Sequence, residues 1–115
     1  QWYRKLIKIR KENRVLVYGK FRELLADNER DVIAYERTNE GRSIIVVINN
    51  SFSDVDNIEF TTDYPDEKYM DLIKGNVIKV NSKGKIKMGL KAKQGMILKR
   101  WKSSKIMTDF KMFRY

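Results

Sequence analysis

Ile44 to Ile48 reads IIVVI, five β-branched apolar residues in succession. Branching at Cβ stiffens χ1 and favours the pleated extended chain over a helix. A strand with one wet face alternates apolar and polar residues, and this one does not. It is therefore expected to be a strand covered on both faces. That requirement constrains the fold more than any other feature, since something must lie on each side of its sheet.

The flanks agree. DVIAYERT, NEG and RSIIVVINNS read together as a β-hairpin. Asn39 and Glu40 suit a type I turn, with Gly41 in the left-handed position of a three-residue loop with a bulge. Upstream, Val15, Val17 and Phe21 bracket Gly19, and FRELL continues as a short strand. Downstream come DNIEF, the only proline (Pro65), YMDLI, NVIKV, KIKMGLK and GMILK. Ile86, Met88 and Leu90 alternate with Lys85, Lys87 and Lys91, the pattern of a half-buried strand with a lysine-coated solvent face. The expectation is an all-β, antiparallel Greek-key β-sandwich of about seven or eight strands. The first residues differ. At about 100° per residue, Trp2, Tyr3, Leu6, Ile7 and Ile9 fall on one arc and Arg4, Lys5, Lys8, Lys11 and Glu12 on the other. One N-terminal α-helix is thus expected over residues 1–13, before a sandwich over 14–100 and a basic, aromatic tail over 101–115.

Composition enters mainly through what is missing. With no His, a Ser-His-Asp triad and any His-ligated metal site are excluded. With no Cys there is neither a disulfide framework nor thiolate chemistry, and nothing marks an oxidising compartment. No apolar run approaches the roughly 18–20 residues that cross a bilayer, so no membrane partner is expected. The formal charge of +10 is uneven. Residues 1–30 carry nine Lys/Arg against four Asp/Glu, residues 31–75 four against ten, and residues 76–115 twelve against one. A basic–acidic–basic chain can fold its segments against one another, so the net figure overstates any single patch.

In order and spacing, several stretches resemble the end of an α-amylase-family (family 13) glycoside hydrolase. They are Leu6 to Lys11, Gly19 to Phe21, Val32 to Arg37, Val46 to Ser51, Asp71 to Gly75 and Gly95 to Lys99. The flavour is that of the neopullulanase, cyclomaltodextrinase and maltogenic amylase branch. The resemblance covers roughly residues 2–100. Arg14-Val15-Leu16 departs from a common Pro-Ala-Leu, and the tail after Arg100 has no counterpart. It implies a non-catalytic C-terminal accessory domain, joined by the last helix to a catalytic (β/α)8 barrel that these residues do not contain. The family's catalytic motifs are absent here, so no catalytic residue, metal or cofactor is carried over. The implied partners are that barrel and, in some members, α-glucan or maltodextrin.

Site readings follow. Trp2, Leu6, Ile9 and Arg10 form the expected domain interface, which could also self-associate if left bare. Arg10 sits inside the apolar arc and needs a carboxylate or carbonyl partner, because an unpaired buried charge is prohibitive. Trp101, Phe110 and Phe113 could stack on sugar, although core or interface packing is the simpler fate of each. The carboxylates Asp54, Asp56, Glu59, Asp63, Asp66 and Glu67 read as a solvated loop rather than a glycosidase pair or a calcium loop. The rival from another class is a basic β-barrel binding nucleic acid through KIKMGLKAK and the nearby aromatics.

Overall fold

The structure is a computed structural model, and it describes residues 20–101. The expected helix, with Trp2, Leu6, Ile9 and Arg10, lies outside the described residues, as do Phe110 and Phe113. The described chain is eight antiparallel strands: β1 (Lys20–Asp27), β2 (Val32–Asn39), β3 (Arg42–Asn49), β4 (Val55–Thr61), β5 (Lys68–Asp71), β6 (Val77–Lys79), β7 (Lys85–Leu90) and β8 (Gln94–Trp101). Six form a large sheet in the order β1-β2-β3-β8-β5-β6, and β4 pairs with β7 in a small one. All-β architecture and strand count match the sequence expectation.

The two sheets share one core. Val32, Ala34, Ile45, Val47, Tyr69 and Leu98 of the large sheet meet Val55, Ile58, Phe60, Ile86 and Leu90 of the small one. Each such aliphatic side chain contributes about 1.5–3 kcal/mol when fully buried. The alternation expected in β7 holds: Ile86 and Leu90 are buried, Met88 packs beside them, and Lys85 and Lys87 are exposed. IIVVI also behaves as expected. Ile45 and Val47 enter the shared core, while Ile44 and Val46 are buried on the opposite side with Ile97.

One turn needs correcting. Asn39 pairs directly with Arg42, so the β2–β3 connection is the two residues Glu40 and Gly41, not a three-residue loop with a bulge. Both have positive φ, 51° and 79°, the signature of a type I′ turn. Its backbone twist matches that of the flanking strands, which favours it even with Glu in a position that prefers Asn. Irregularities of register fall elsewhere, in β1 between Glu23 and Leu25 and in β4 between Val55 and Ile58. GMILK likewise extends beyond its expected length, because β8 continues through Trp101, which pairs with Lys68 of β5.

Candidate functional site

Strand alternation sorts the large sheet into two faces. The outer face, turned away from the small sheet, carries Phe21 on β1, Ile33, Tyr35 and Arg37 on β2, and Ile44, Val46 and Ile48 on β3. It continues through Ile97, Lys99 and Trp101 on β8, Met70 on β5 and Val77 on β6. Its centre is dry: Ile44, Val46 and Ile97 are buried among Tyr35, Ile48, Leu72 and Ile73. Its margins are not, with Phe21 58 % exposed and Ile33 and Val77 each 43 % exposed. The Phe21 ring lies 5.2 Å from that of Tyr35, and the Arg37 guanidinium stands 5.3 Å from the Phe21 centroid. A dry apolar centre with exposed apolar margins, interspersed with Arg37, Lys68, Lys79 and Lys99, is the character of a contact surface rather than of a catalytic cleft.

Behind that face, a polar chain makes the sheet rigid. Glu36 is buried and accepts from Arg22 at 2.9 Å and from the Ser43 hydroxyl at 2.5 Å. Ser43 has a single hydrogen and spends it on that carboxylate. Tyr69 must therefore donate to Ser43 across their 2.8 Å contact, and Thr62 to Tyr69 across 3.0 Å. Donation thus runs from Thr62 through Tyr69 and Ser43 to Glu36, where it meets the donation from Arg22, and the chain joins both layers. Burial pushes the Tyr69 hydroxyl up to about 12, against the smaller opposing effect of the Ser43 and Thr62 hydrogen bonds. Arg100 closes a second knot. It meets Glu67 through two bonds of 2.6 and 2.9 Å, donates to the Gly41 carbonyl at 2.7 Å and lies 3.6 Å from the Tyr64 ring centroid. Burial works against its charge, but the hydrogen bonds and charge of Glu67 outweigh that and raise its pKa.

Four of the six carboxylates singled out in the acidic segment form ion pairs. Asp63 pairs with Arg22, Glu59 with Lys85 and Lys87, Asp54 with Lys91 at 3.9 Å, and Glu67 with Arg100. The basic ends and acidic middle therefore do fold against one another. The Lys87 hydrogen bond, helped by the charges of Lys85 and Lys87, lowers the Glu59 pKa. Among the described residues no group of His, Cys, Asp or Glu could hold a metal ion. Asn49, which with Asn50 and Ser51 matches a glycosylation sequon in form, is fully buried, its amide donating to the carbonyls of Ser53, Leu90 and Lys91, so it is not accessible for attachment in the fold.

Trp101, read from sequence as a sugar contact, is half-buried at an outer-face position. It shares that face with Phe21 and Ile97, and not with the lysines of β7, which belong to the small sheet. The basic, aromatic surface of the nucleic-acid reading is thereby split between two layers. The outer face itself was not named as a site from sequence. Its signal was present in the two-faced burial demanded by IIVVI, but which neighbours complete the face depends on strand order, which periodicity does not encode.

Known proteins fall in line with this geometry. A family model described as the α-amylase C-terminal all-beta domain matches residues 23–100. The cyclomaltodextrinase of Thermoanaerobacter pseudethanolicus is 52% identical over 50 residues, which is 44% of this chain and 8% of that protein. The oligo-1,6-glucosidase of Halalkalibacterium halodurans is 40% identical over 47 residues, 41% of this chain and 8% of that one. Among solved structures, the α-amylase of Geobacillus thermoleovorans complexed with acarbose superposes with a TM-score of 0.76 at 16% identity, over 86% of this chain and 22% of its own. The γ-CGTase of alkalophilic Bacillus clarkii does so with 0.66 at 27% identity, over 87% and 16%. The chain thus spans less than a quarter of the length of each of these proteins. With the family model covering well over half of it, the chain belongs to the α-amylase C-terminal all-beta domain family.

Proposed function

We propose that this is the non-catalytic accessory domain of an enzyme that cleaves α-glucosidic bonds in maltodextrins or related glucans, of the cyclomaltodextrinase or neopullulanase type. On this reading residues 1–13 are the last helix of a catalytic (β/α)8 barrel, 14–100 the sandwich, and 101–115 a basic tail. β8 lying between β3 and β5 supports a Greek-key order for the sandwich. The domain stabilises the barrel by covering apolar surface. The observation that carries this is the outer face of the large sheet, with a dry apolar centre at Ile44, Val46 and Ile97 and exposed apolar side chains, Phe21, Ile33 and Val77, at its margins. Its chemistry suits packing. Asp63, Glu59 and Glu67 are engaged in ion pairs with Arg22, Lys87 and Arg100 rather than paired with another carboxylate across a cleft, which glycoside hydrolysis requires. Trp101 then contributes to the same contact, and any glucan binding is secondary.

The reading frame upstream of Gln1 tests this directly. It should encode a barrel carrying an aspartate nucleophile and a glutamate acid/base. A frame that starts immediately before Gln1, or release of reducing sugar from maltodextrin by the purified 115-residue chain, would sink the proposal.

A further inference from the structure

Three connections meet at one end of the sandwich: residues 28–31 between β1 and β2, 50–54 between β3 and β4, and 91–93 between β7 and β8. Hydrogen bonds tie them to one another. Asn50 N–H donates to the Asp31 carbonyl at 2.9 Å, Lys93 N–H to the Ser51 carbonyl at 3.0 Å, and Ala92 N–H to Asp54 Oδ1 at 2.9 Å. Beneath them the buried Asn49 amide gathers the carbonyls of Ser53, Leu90 and Lys91. Arg30, held by Asp27 at 2.6 Å, donates to the carbonyls of Asp56 and Asn57. The loops are therefore fixed without the side chain of Phe52, which is 88 % exposed and the most exposed large apolar group described. A ring left in water forgoes the stabilisation of burial, and loops on a rigid scaffold are where binding groups are displayed.

The surroundings of that ring select a ligand class. The Lys93 ammonium, steadied by Asn50 Oδ1 at 3.3 Å, lies 4.3 Å from the ring centroid. The cation takes one face of the ring, and the exposure leaves the other open. Ser51 and Ser53, on either side of Phe52 in the chain, line an open hollow of about 350 Å³ with Glu29, Arg30, Asp54 and Asp56. Small-ligand clefts span about 300–1,000 Å³. The carboxylates of Glu29 and Asp56 are exposed and have no ion-pair or hydrogen-bond partner among the described residues. No acidic group there could hold a metal ion, so neutral hydroxyl donors are their natural complement. A pyranose meets both demands, with a C–H face for the aromatic ring and a rim of hydroxyls for the carboxylates. Stacking supplies most of the affinity, because an exposed carboxylate merely exchanges water for a sugar hydroxyl.

We propose that this loop end binds an α-glucan chain, one glucose unit stacked on the open face of Phe52 and the next lying over the hollow, its hydroxyls donating to Glu29 and Asp56. The site rests on the loop geometry, and the choice of α-glucan rests on the proposed function.

Titrating maltopentaose into the isotope-labelled full chain tests this by nuclear magnetic resonance. Amide signals of residues 51–54 and 92–93 should shift, with a dissociation constant of roughly a millimolar. Phe52→Ala should weaken binding about tenfold and Phe52→Tyr should retain it, since stacking needs the ring. Both variants should melt with the wild type, because the side chain is outside the core. No shift at these amides, shifts confined to β8 around Trp101, or equal affinity in Phe52→Ala overturns the site. Cellopentaose, whose β-linkage keeps successive rings in one flat ribbon, should bind about fivefold more weakly. Equal binding of the two sugars overturns the α-glucan assignment. An upstream frame without a barrel would defeat the proposed function, whereas this binding is read on the chain alone.

Discussion

Glycine positions that look alike in sequence differ sharply in consequence. Gly75 and Gly84 both have φ near +80°, but a Cβ on Gly75 would meet nothing within 4 Å. On Gly84 it would lie 2.5 Å from the Thr62 carbonyl oxygen, a backbone atom that cannot step aside. Gly75→Ala should therefore cost about 1 kcal/mol, the left-handed penalty alone. Gly84→Ala should cost several times that, read as the difference between their urea midpoints. Tyr69 gives a second residue-scale expectation. Its hydroxyl titrates near 12 in the fold against an ordinary 10, so the folded state holds the proton more tightly. The associated stability is complete below about pH 10 and is lost as pH rises towards 12. The loss is at most about 2–3 kcal/mol, at 1.36 kcal/mol per pH unit. Tyr69→Phe should remove this alkaline component while costing about 1 kcal/mol or more at neutral pH through its lost hydrogen bonds. Parallel denaturation curves for the two proteins between pH 9 and 12 would contradict that.

At the scale of elements, the hairpin joining β2 and β3 shows how tertiary twist overrides a local preference. Asn39-Glu40-Gly41 suits a type I turn with a bulge, whereas the paired strands impose a two-residue I′ turn with Glu40 at φ 51°. Asn tolerates that region better than Glu. Glu40→Asn should raise the melting temperature by a few degrees, consistent with about 0.5–1 kcal/mol in a domain of this size. A decrease would mean that Glu40 makes a contribution beyond its backbone. On β7, the exposed lysines pair with Glu59 and guard a sheet of just two strands. Replacing Lys85 and Lys87 by Thr should promote self-association, measurable by light scattering, since lysine on an open edge discourages pairing with another chain.

For the whole molecule, the outer face separates folding from docking. Phe21 and Ile33 are exposed margins and add little to the core. Phe21→Ser with Ile33→Asp should leave the isolated chain's melting temperature within a few degrees of wild type. The same pair should weaken association with the catalytic domain by about tenfold or more, as expected for charge placed in an apolar contact. Unchanged association would remove these margins from the interface.

How much of this was legible beforehand depends on the range over which each signal acts. Apolar periodicity and β-branching are local, and they determined an all-β domain with β3 covered on both sides, while the lack of His and Cys excluded only the chemistries that need those residues. Alternating charge blocks likewise foretold that acidic and basic segments would neutralise one another. Strand order is not local. Nothing along the chain says that β8 inserts between β3 and β5, yet that insertion brings Ile97 beside Val46 and Trp101 beside Lys68, and so builds the outer face. The same applies to Glu36, an unremarkable polar residue in sequence that becomes a buried junction only when Arg22, Ser43 and Tyr69 converge on it. The sequence by itself determined which residues need burial or a partner. Tertiary structure decided who meets whom, because contacts between distant segments depend on sheet order and register, which no single segment specifies.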